Sequence, residues 1–189
     1  MFKRSFKMLI LMLLLTGIAY PLFVTLIAQL VVHHQANGSF IVSNGKIVGS
    51  RLIGQKFDSE KYFWGRPSAS DYNALSSGGS NLGPASAVLK KKVGERKAHL
   101  RKSAGTSESI PSDLLFASGS GLDPHITIEA AQFQKERISR ARGYNGKAAE
   151  SFDRLIERLI EKRTFGFLGT PHVNVLELNL ALDAMQVKL

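Results

Sequence analysis

The sequence predicts an α+β protein, in which one N-terminal transmembrane helix precedes a single mixed α/β extracytoplasmic domain. Residues 8–32 contain no charged side chain, whereas residues 36–189 combine short apolar segments with stretches of helical spacing. The hydrophobic share of 44% and the charged share of 21% are those of a globular protein. Because the chain has no cysteine, disulfides and thiolate metal sites are excluded. The formal charge of +10 indicates an anionic partner without saying which kind.

The uncharged segment is long enough to cross a bilayer. Its 25 residues extend ~37 Å as a helix, and the hydrocarbon core measures ~30 Å. Pro21 predicts a kink near the middle, and Gln29 is the only strongly polar member. A cleaved signal peptide is the alternative, because Gly17 and Ala19 frame a small-x-small site. The long apolar stretch after that site favours a retained anchor.

Charge predicts the orientation of this anchor. Lys3, Arg4 and Lys7 place the short N-terminal tail in the cytoplasm. Residues 1–35 are then the tail and anchor, and residues 36–189 are an extracytoplasmic soluble domain of a single-pass protein of the cell inner membrane. The basic surplus of that domain does not overturn the assignment, because long domains translocate largely regardless of charge.

The first part of the exported region predicts a hairpin, a loop and a helix. Short apolar segments flank Asn44-Gly45, a two-residue hairpin signal in which both turn positions favour positive φ. Residues 61–67 concentrate three aromatic side chains and an arginine, and residues 68–84 are rich in Ser, Gly and Asn, as in a loop. Residues 85–102 predict a strongly basic surface helix. This basic stretch lacks the interleaved aromatic residues of a nucleic-acid site, so no nucleic-acid partner is expected.

The second part predicts one strand and three helices. Residues 110–117 are apolar enough for a short buried strand. A helix over 127–142 begins at a threonine cap and stops at glycine, and a second follows over 147–163. Leucines in 173–189 fit both strand alternation and helical spacing; we predict a helix, because Asn174 and Glu177 resemble a capping pair.

Enzyme motifs are sparse. The chain contains no phosphate-binding P-loop string and no Asp-Lys-Thr-Gly-Thr phosphorylation string. Ser118, Ser120, Asp123 and His125 fall in one short segment, but the nucleophile elbow Gly-x-Ser-x-Gly is absent, so a tight turn is the favoured interpretation. None of the five histidines forms an i,i+4 pair around an acid on a predicted helix, so no metal site is expected. The string at 75–80 resembles the nucleotide-facing signature of ABC transporters, but a simple turn with positive φ is the favoured interpretation.

Five motifs in a fixed order behind the span carry a family resemblance. They are Gly49-Ser-Arg-Leu-Ile-Gly-Gln, Tyr62-Phe-Trp-Gly-Arg-Pro-Ser-Ala, Ser77-Gly-Gly-Ser-Asn-Leu-Gly-Pro, Ala117-Ser-Gly-Ser-Gly-Leu-Asp-Pro-His-Ile, and Phe167-Leu-Gly with Val173-Asn-Val-Leu-Glu-Leu-Asn-Leu-Ala-Leu-Asp. Together they resemble the C subunit of the Kdp-type potassium-transporting ATPase over nearly the whole chain. The chain departs from the family pattern at Thr170 and His172, where an acid and a base are expected, and at Ala85-Ser86.

The resemblance implies a membrane complex. Its partners would be a channel-like potassium-selecting subunit, a P-type ATPase subunit that hydrolyses ATP, a small single-span subunit and the lipid bilayer. The C subunit is the non-catalytic accessory member, implied to support assembly and to raise the ATP affinity of the hydrolysing subunit as a catalytic chaperone. It would bind no cofactor tightly. The implied nucleotide-contact residues are Ser77, Gly78, Gly79 and Ser80. The predicted topology keeps them away from cytoplasmic ATP, so any effect on affinity must pass through the span or a partner.

Two kinds of surface are expected to meet these partners. In the membrane they are Pro21 and Gln29. In the exported domain an aromatic–arginine cluster has the composition of a binding hot spot, with the Gly-rich turns beside it; the expected residues are Tyr62, Trp64, Arg66, Asn81, Ser118, Ser120, Asp123 and His125. Phe63 is expected in the core. The alternatives are a membrane-tethered extracytoplasmic hydrolase using Ser120 or His125, and a ligand-binding or sensor module.

Overall fold

The structure, a computed structural model, describes residues 2–43, 45–106 and 108–186. Its helices are α1 (Phe2–Leu14), α2 (Tyr20–Val31), α3 (His33–Ala36), α4 (Ala87–Ala104), α5 (Ile128–Arg142), α6 (Lys147–Arg158) and α7 (Val175–Gln186). Its strands are β1 (Phe40–Ser43), β2 (Lys46–Ser50), β3 (His125–Thr127), β4 (Ile160–Glu161) and β5 (His172–Asn174). The chain divides into two compact units, residues 1–50 and residues 51–189. The predicted mixture of helices and strands behind one long apolar helix is confirmed.

The first unit contains a helix that is long and apolar enough to span a membrane. It runs over Phe2–Val31, 30 residues, and none of its most apolar stretch is buried within the protein. A π-helical turn, Leu15–Ala19, joins α1 to α2 just before Pro21. Proline lacks an N–H group, and its ring collides with the carbonyl four residues back, here Gly17. The wider turn makes room for that carbonyl, so the helix absorbs the proline by widening locally.

The predicted hairpin is confirmed in the first unit. Strands β1 and β2 pair antiparallel, with Ser43 opposite Lys46 next to the turn and a register shift between Ile41 and Val42. Gly45 has φ +74°, as the turn requires. Asn44, the other predicted turn residue, lies outside the described residues.

The second unit is built on a three-stranded antiparallel sheet of order β3-β5-β4. Ile126, Val173 and Ile160 lie opposite one another across the three strands, and the first two are fully buried. Because side chains alternate between the two faces of a strand, the neighbouring row points away from this core. Helices α5 and α7 contact the sheet, and the core they complete contains Ile138, Phe152, Ile156, Leu178 and Leu182.

Helices α4 and α5 are capped at both ends, and the caps of α5 at Thr127 and Gly143 are the predicted ones. Ser86 accepts a hydrogen bond from Leu89 at the start of α4, and Thr127 accepts one from Ala130 at the start of α5. Gly105 and Gly143 end these helices at φ +69° and +70°. The predicted helices over 85–102 and 127–142 are therefore confirmed.

Three segments differ from the prediction or refine it. Residues 110–117 form no strand: Ser112–Leu114 is a 3-10 turn, and the Asp113 carboxylate in it accepts a hydrogen bond from Thr127 N at 2.8 Å. The second helix ends at Arg158 instead of residue 163, because the chain turns there into β4. Asn174 ends β5 and caps α7 through its side chain, so the last segment contains a short strand before its predicted helix.

The aromatic segment around residue 63 passes between α5 and α7 without forming a strand. The Asn179 side-chain amide accepts from Phe63 N at 2.8 Å and donates to Phe63 O at 3.0 Å. The Gln134 amide does the same for Trp64, at 2.8 and 3.1 Å. Two side-chain amides thus replace a neighbouring strand and satisfy backbone groups that are removed from water. Phe63 is fully buried, which confirms its predicted core position.

Candidate functional site

Trp64, a predicted interface residue, is held inside the second unit. The Arg137 guanidinium lies 3.8 Å from its ring centroid, and the His99 ring stacks at 5.1 Å. Its indole N–H donates to Ser59 O at 3.0 Å. These contacts fix the orientation of the half-buried indole before any partner arrives.

The buried Arg137 side chain packs against the Trp64 ring and binds the backbone around it. Its side chain is only 2% exposed and donates to the carbonyl oxygens of Glu60 and Tyr62 and to Gln134 Oε1. Burial lowers the pKa of Arg137 to about 10, so the guanidinium stays charged at neutral pH. A buried charge of this kind is tolerated because several acceptors surround it.

Tyr62 and Arg66 also have partners within the unit. The Tyr62 hydroxyl donates to Asp183 Oδ2 at 3.0 Å, and Arg142 lies over the Tyr62 ring. Arg66 Nη1 donates to Asp123 Oδ2 at 3.0 Å. The predicted interface residues Tyr62, Arg66 and Asp123 therefore have structural contacts of their own, and their contact with partner subunits remains a prediction.

The two Gly-rich turns, residues 77–80 and 118–121, pack backbone against backbone. Gly78 N donates to Ser120 O at 2.8 Å, and the Ser77 hydroxyl donates to the same oxygen at 3.0 Å. A Cβ atom on Gly121 would lie 2.8 Å from Gly78 O. Only glycine permits this close approach of the two backbones. The fold therefore brings together the predicted sites at residues 77–80 and 118–121, which are distant in sequence.

The geometry of residues 77–80 differs from that of a phosphate site at a helix N-terminus. A 3-10 turn, Ala74–Ser76, precedes them, and the next helix begins at Ala87. The Gly78 N–H group, one of those that such a site would offer to phosphate, already donates to Ser120 O. Asn81 follows the turn with φ +51° and an exposed side chain.

The segment from Ser118 to His125 is an ordered turn. Ser118 is buried, and its N–H donates to Pro67 O at 3.1 Å. The Ser120 hydroxyl accepts from Leu122 N, and Asp123 Oδ1 accepts from His125 N. Among the described residues no hydrogen bond joins either serine to His125, so nothing supports the hydrolase alternative.

His125 instead faces a cluster that the sequence analysis missed. Its Nε2 lies 3.9 Å from Glu161 Oε1, and His172 Nε2 lies 3.7 Å from Glu161 Oε2. The two imidazole rings meet edge to face at 4.4 Å. No i,i+4 spacing in the sequence marks these three residues as a possible metal site, because they meet only through the pairing of β3, β5 and β4.

The local environment favours the neutral form of His125. Burial lowers the pKa of His125 below its ordinary value of 6.5, and His172 acts in the same direction, while Glu161 and Asp123 act against them. A neutral imidazole at pH 7 has an unprotonated nitrogen that can accept a hydrogen bond or bind a metal ion.

The two predicted contact points in the membrane segment lie in the first unit. Pro21 follows the π-helical turn, in the exposed helix. Gln29 Oε1 accepts a hydrogen bond from Asn37 Nδ2 at 3.1 Å. The Asn37 amide also donates to His33 O at 2.7 Å. Gln29 thus helps to end the helix, and its contact with a partner helix remains a prediction.

A second feature missed on the sequence is a tight loop over residues 164–168. Thr164 and Leu168 form an isolated antiparallel bridge, and Phe165 at the tip has φ +53°. Phe165 and Phe167 are 84% and 70% exposed. Two exposed phenylalanines in one short loop are characteristic of an interaction surface.

Comparison with known proteins identifies the family. The family model described as "K+-transporting ATPase, c chain" matches residues 2–184. Similar proteins named "Potassium-transporting ATPase KdpC subunit" include one from Methylococcus capsulatus, 48% identical and covering 98% of both chains. One from Geobacter sulfurreducens is 52% identical over 97% of both, and one from Serratia proteamaculans is 50% identical over 97% of this chain and 98% of its own. The chain therefore belongs to the family of the c chain of the K+-transporting ATPase and is a subunit of a potassium transport complex.

Proposed function

We propose that this chain is a non-catalytic accessory subunit that assembles and stabilises the complex from the extracytoplasmic side. Its neighbours would be the channel-like subunit, the P-type ATPase subunit that hydrolyses ATP and the small single-span subunit. The N-terminus lies in the cytoplasm, one helix crosses the inner membrane, and the C-terminal part lies outside.

The exposed apolar helix carries this proposal. Helix residues 2–31 expose large aliphatic and aromatic side chains on every side, and burying such a side chain contributes roughly 1.5–3 kcal/mol. Lipid can cover this surface, but lipid tails alone do not select a position. Packing against partner helices fixes the position of the helix in the complex. The widened turn before Pro21 gives this helix a surface that a partner helix can distinguish.

Exposed apolar side chains of the second unit support a contact outside the membrane. Phe165 and Phe167 project from their loop, and Leu75, beside the joined Gly-rich turns, is 98% exposed. A monomeric protein gains nothing by leaving such side chains in water, whereas an interface buries them.

An effect on ATP affinity would act through the partner subunits. With residues 77–80 outside the cytoplasm, they cannot touch cytoplasmic ATP, and the Gly78 N–H is already bonded. Stabilising the conformation of the hydrolysing subunit that binds ATP would raise its affinity without direct contact.

Co-purification tests this function. We expect the tagged chain, expressed with its partner subunits and extracted in mild detergent, to retain both the channel-like and the ATPase subunits. A matched variant replaces residues 8–32 with an unrelated apolar helix of equal length and keeps Lys3, Arg4 and Lys7. This variant remains in the membrane but should retain several-fold less of both subunits.

Two results would contradict the proposal. One is equal retention of both subunits by the helix-replacement variant, which would show that helix packing is not the contact. The other is full potassium-stimulated ATP hydrolysis by the partner subunits without this chain.

A further inference from the structure

The outward face of the small sheet brings together three side chains of metal-ligand type. These are His125, Glu161 and His172. Thr127, His172 and Glu161 form one row across β3, β5 and β4, on the face opposite the buried Ile126 row. His125, two residues before Thr127, is the diagonal neighbour of His172 on that face. One ligand atom from each of His125, Glu161 and His172 lies within 4.8 Å of the other two.

Each imidazole has an oxygen atom near its Nδ1, and for His172 that oxygen accepts a hydrogen bond. His172 Nδ1 lies 2.8 Å from Thr170 O, and because a carbonyl oxygen only accepts, Nδ1 carries the hydrogen. In the neutral ring this leaves Nε2 of His172 as the unprotonated nitrogen, and Nε2 faces Glu161. His125 has Nδ1 3.7 Å from Asp123 Oδ1, near enough for an electrostatic contact but beyond hydrogen-bond distance, and its Nε2 lies toward Glu161. Outer oxygen partners of this kind are the usual support of histidine ligands.

The carboxylate is held in place as well. Arg51 reaches Glu161 Oε1 and Glu177 Oε1, both at 2.9 Å, and leaves Glu161 Oε2 toward His172. Glu161 Oε1 is buried and forms no hydrogen bond of good geometry in spite of the nearby guanidinium.

The surrounding charges favour a cation. The charged groups around the cluster are two guanidinium groups, of Arg51 and Arg66, and four carboxylates. Three of these, Glu161, Glu177 and Asp123, pair with the arginines, and the fourth, Asp113, lines the same depression as His125 and His172. Negative charge is in excess, although the chain as a whole is basic.

We propose that His125, Glu161 and His172 bind one divalent transition-metal ion of the zinc class, which links the three strands of the sheet. Two imidazoles and one carboxylate are a common protein ligand set for Zn²⁺, with a fourth position left to water. The side chains of all three residues are about one-third exposed, at 33%, 33% and 35%, so an ion can reach them. This inference does not depend on the proposed role in assembly.

The present spacing is slightly wider than a bound ion needs. Bonds of about 2.0–2.1 Å in a tetrahedron place ligand atoms ~3.4 Å apart. The two nitrogen–oxygen distances are 3.7 and 3.9 Å. These two distances run to different carboxylate oxygens, and the three ligand atoms lie within 4.8 Å of one another, so the closure needed is at most about 1.4 Å, which rotation of partly exposed side chains can supply.

Metal titration of the full chain in detergent tests the site. His33 and His34 are first replaced by alanine to remove the adjacent pair of histidines in the first unit, and any affinity tag is removed. Zn²⁺ binding is measured by calorimetry and Co²⁺ binding by the visible absorption of a four-coordinate ion. We expect one ion per chain and a higher unfolding temperature with Zn²⁺.

Single substitutions then locate the ion. His125→Ala, His172→Ala and Glu161→Gln should each weaken Zn²⁺ binding beyond the ~10–100-fold typical of outer-shell changes, and Asp123→Asn should fall within that range. His99→Ala is the matched control, because His99 lies on α4 against Trp64 and is not one of the three ligands, and this variant should bind Zn²⁺ like the parent.

The metal-free unfolding temperature separates ligand loss from misfolding. His172→Ala is the safest variant, because it removes one partly exposed ring and leaves Asp123 bound to Arg66. The proposal is overturned if the parent chain binds no stoichiometric Zn²⁺, or if folded His172→Ala and Glu161→Gln variants bind it as well as the parent.

Discussion

Asn179 shows how much a single amide contributes to this fold. Its side chain supplies both hydrogen bonds of the Phe63 peptide groups, at a position only 2% exposed to solvent. A sequence pattern identifies Phe63 as a core residue by its hydrophobicity. It does not reveal that an asparagine in an apolar helix pairs with that residue, because the partners meet only after the chain folds.

Replacing Asn179 with alanine should destabilise the protein markedly. The change leaves the buried Phe63 N–H and C=O without partners, and each unsatisfied group costs ~1–3 kcal/mol, so we expect a total loss of about 2–6 kcal/mol. Urea unfolding of the full chain in detergent, followed by the fluorescence of the single tryptophan, measures it. Asn145→Ala, an exposed asparagine, should change stability by less than about 0.5 kcal/mol. Equal losses for the two variants would refute this assignment.

At the scale of elements, helix boundaries were more predictable than strands. Thr127 and Gly143 act within one turn of the chain, so both caps were predicted from the sequence, and both form. Strands β3, β4 and β5 have two or three residues each, and pairing across the sheet defines them. The apolar stretch at 110–117 lacks such a partner and forms a 3-10 turn instead.

The loop over 164–168 is the element we expect to contact a partner. The double substitution Phe165→Ser and Phe167→Ser removes two aromatic rings, each of which can bury about 150–250 Å² of surface at an interface. Since both rings are exposed, stability should change by less than about 0.5 kcal/mol, while co-purification with the partner subunits should fall several-fold. Thermal unfolding and detergent pull-down measure the two effects.

The control for this loop is Val88→Ser, which changes an exposed apolar side chain on α4. It should reduce neither stability nor co-purification appreciably. Unchanged co-purification of the doubly substituted loop would show that these phenylalanines face solvent in the complex.

At the scale of the whole molecule, the orientation in the membrane decides which partners each unit meets. Lys3, Arg4 and Lys7 predict a cytoplasmic N-terminus. A reporter enzyme that is active only outside the cytoplasm should therefore be active when fused after Leu189. The same reporter fused after Lys7 is the matched control and should be inactive. Activity of the reverse pattern, or recovery of mature chain free of the membrane, would contradict this orientation.

The sequence by itself determined the features that depend on neighbouring residues: the long apolar helix, the β1–β2 hairpin, the caps of α5 and the ordered motifs that identify the family. Tertiary structure alone decided which distant residues meet. The Gly-rich turns pack together, two amides replace a strand beside Phe63, and His125, Glu161 and His172 share one face. Local conformation follows from backbone and side-chain preferences within a few residues, whereas these contacts depend on strand register and on burial across the whole unit.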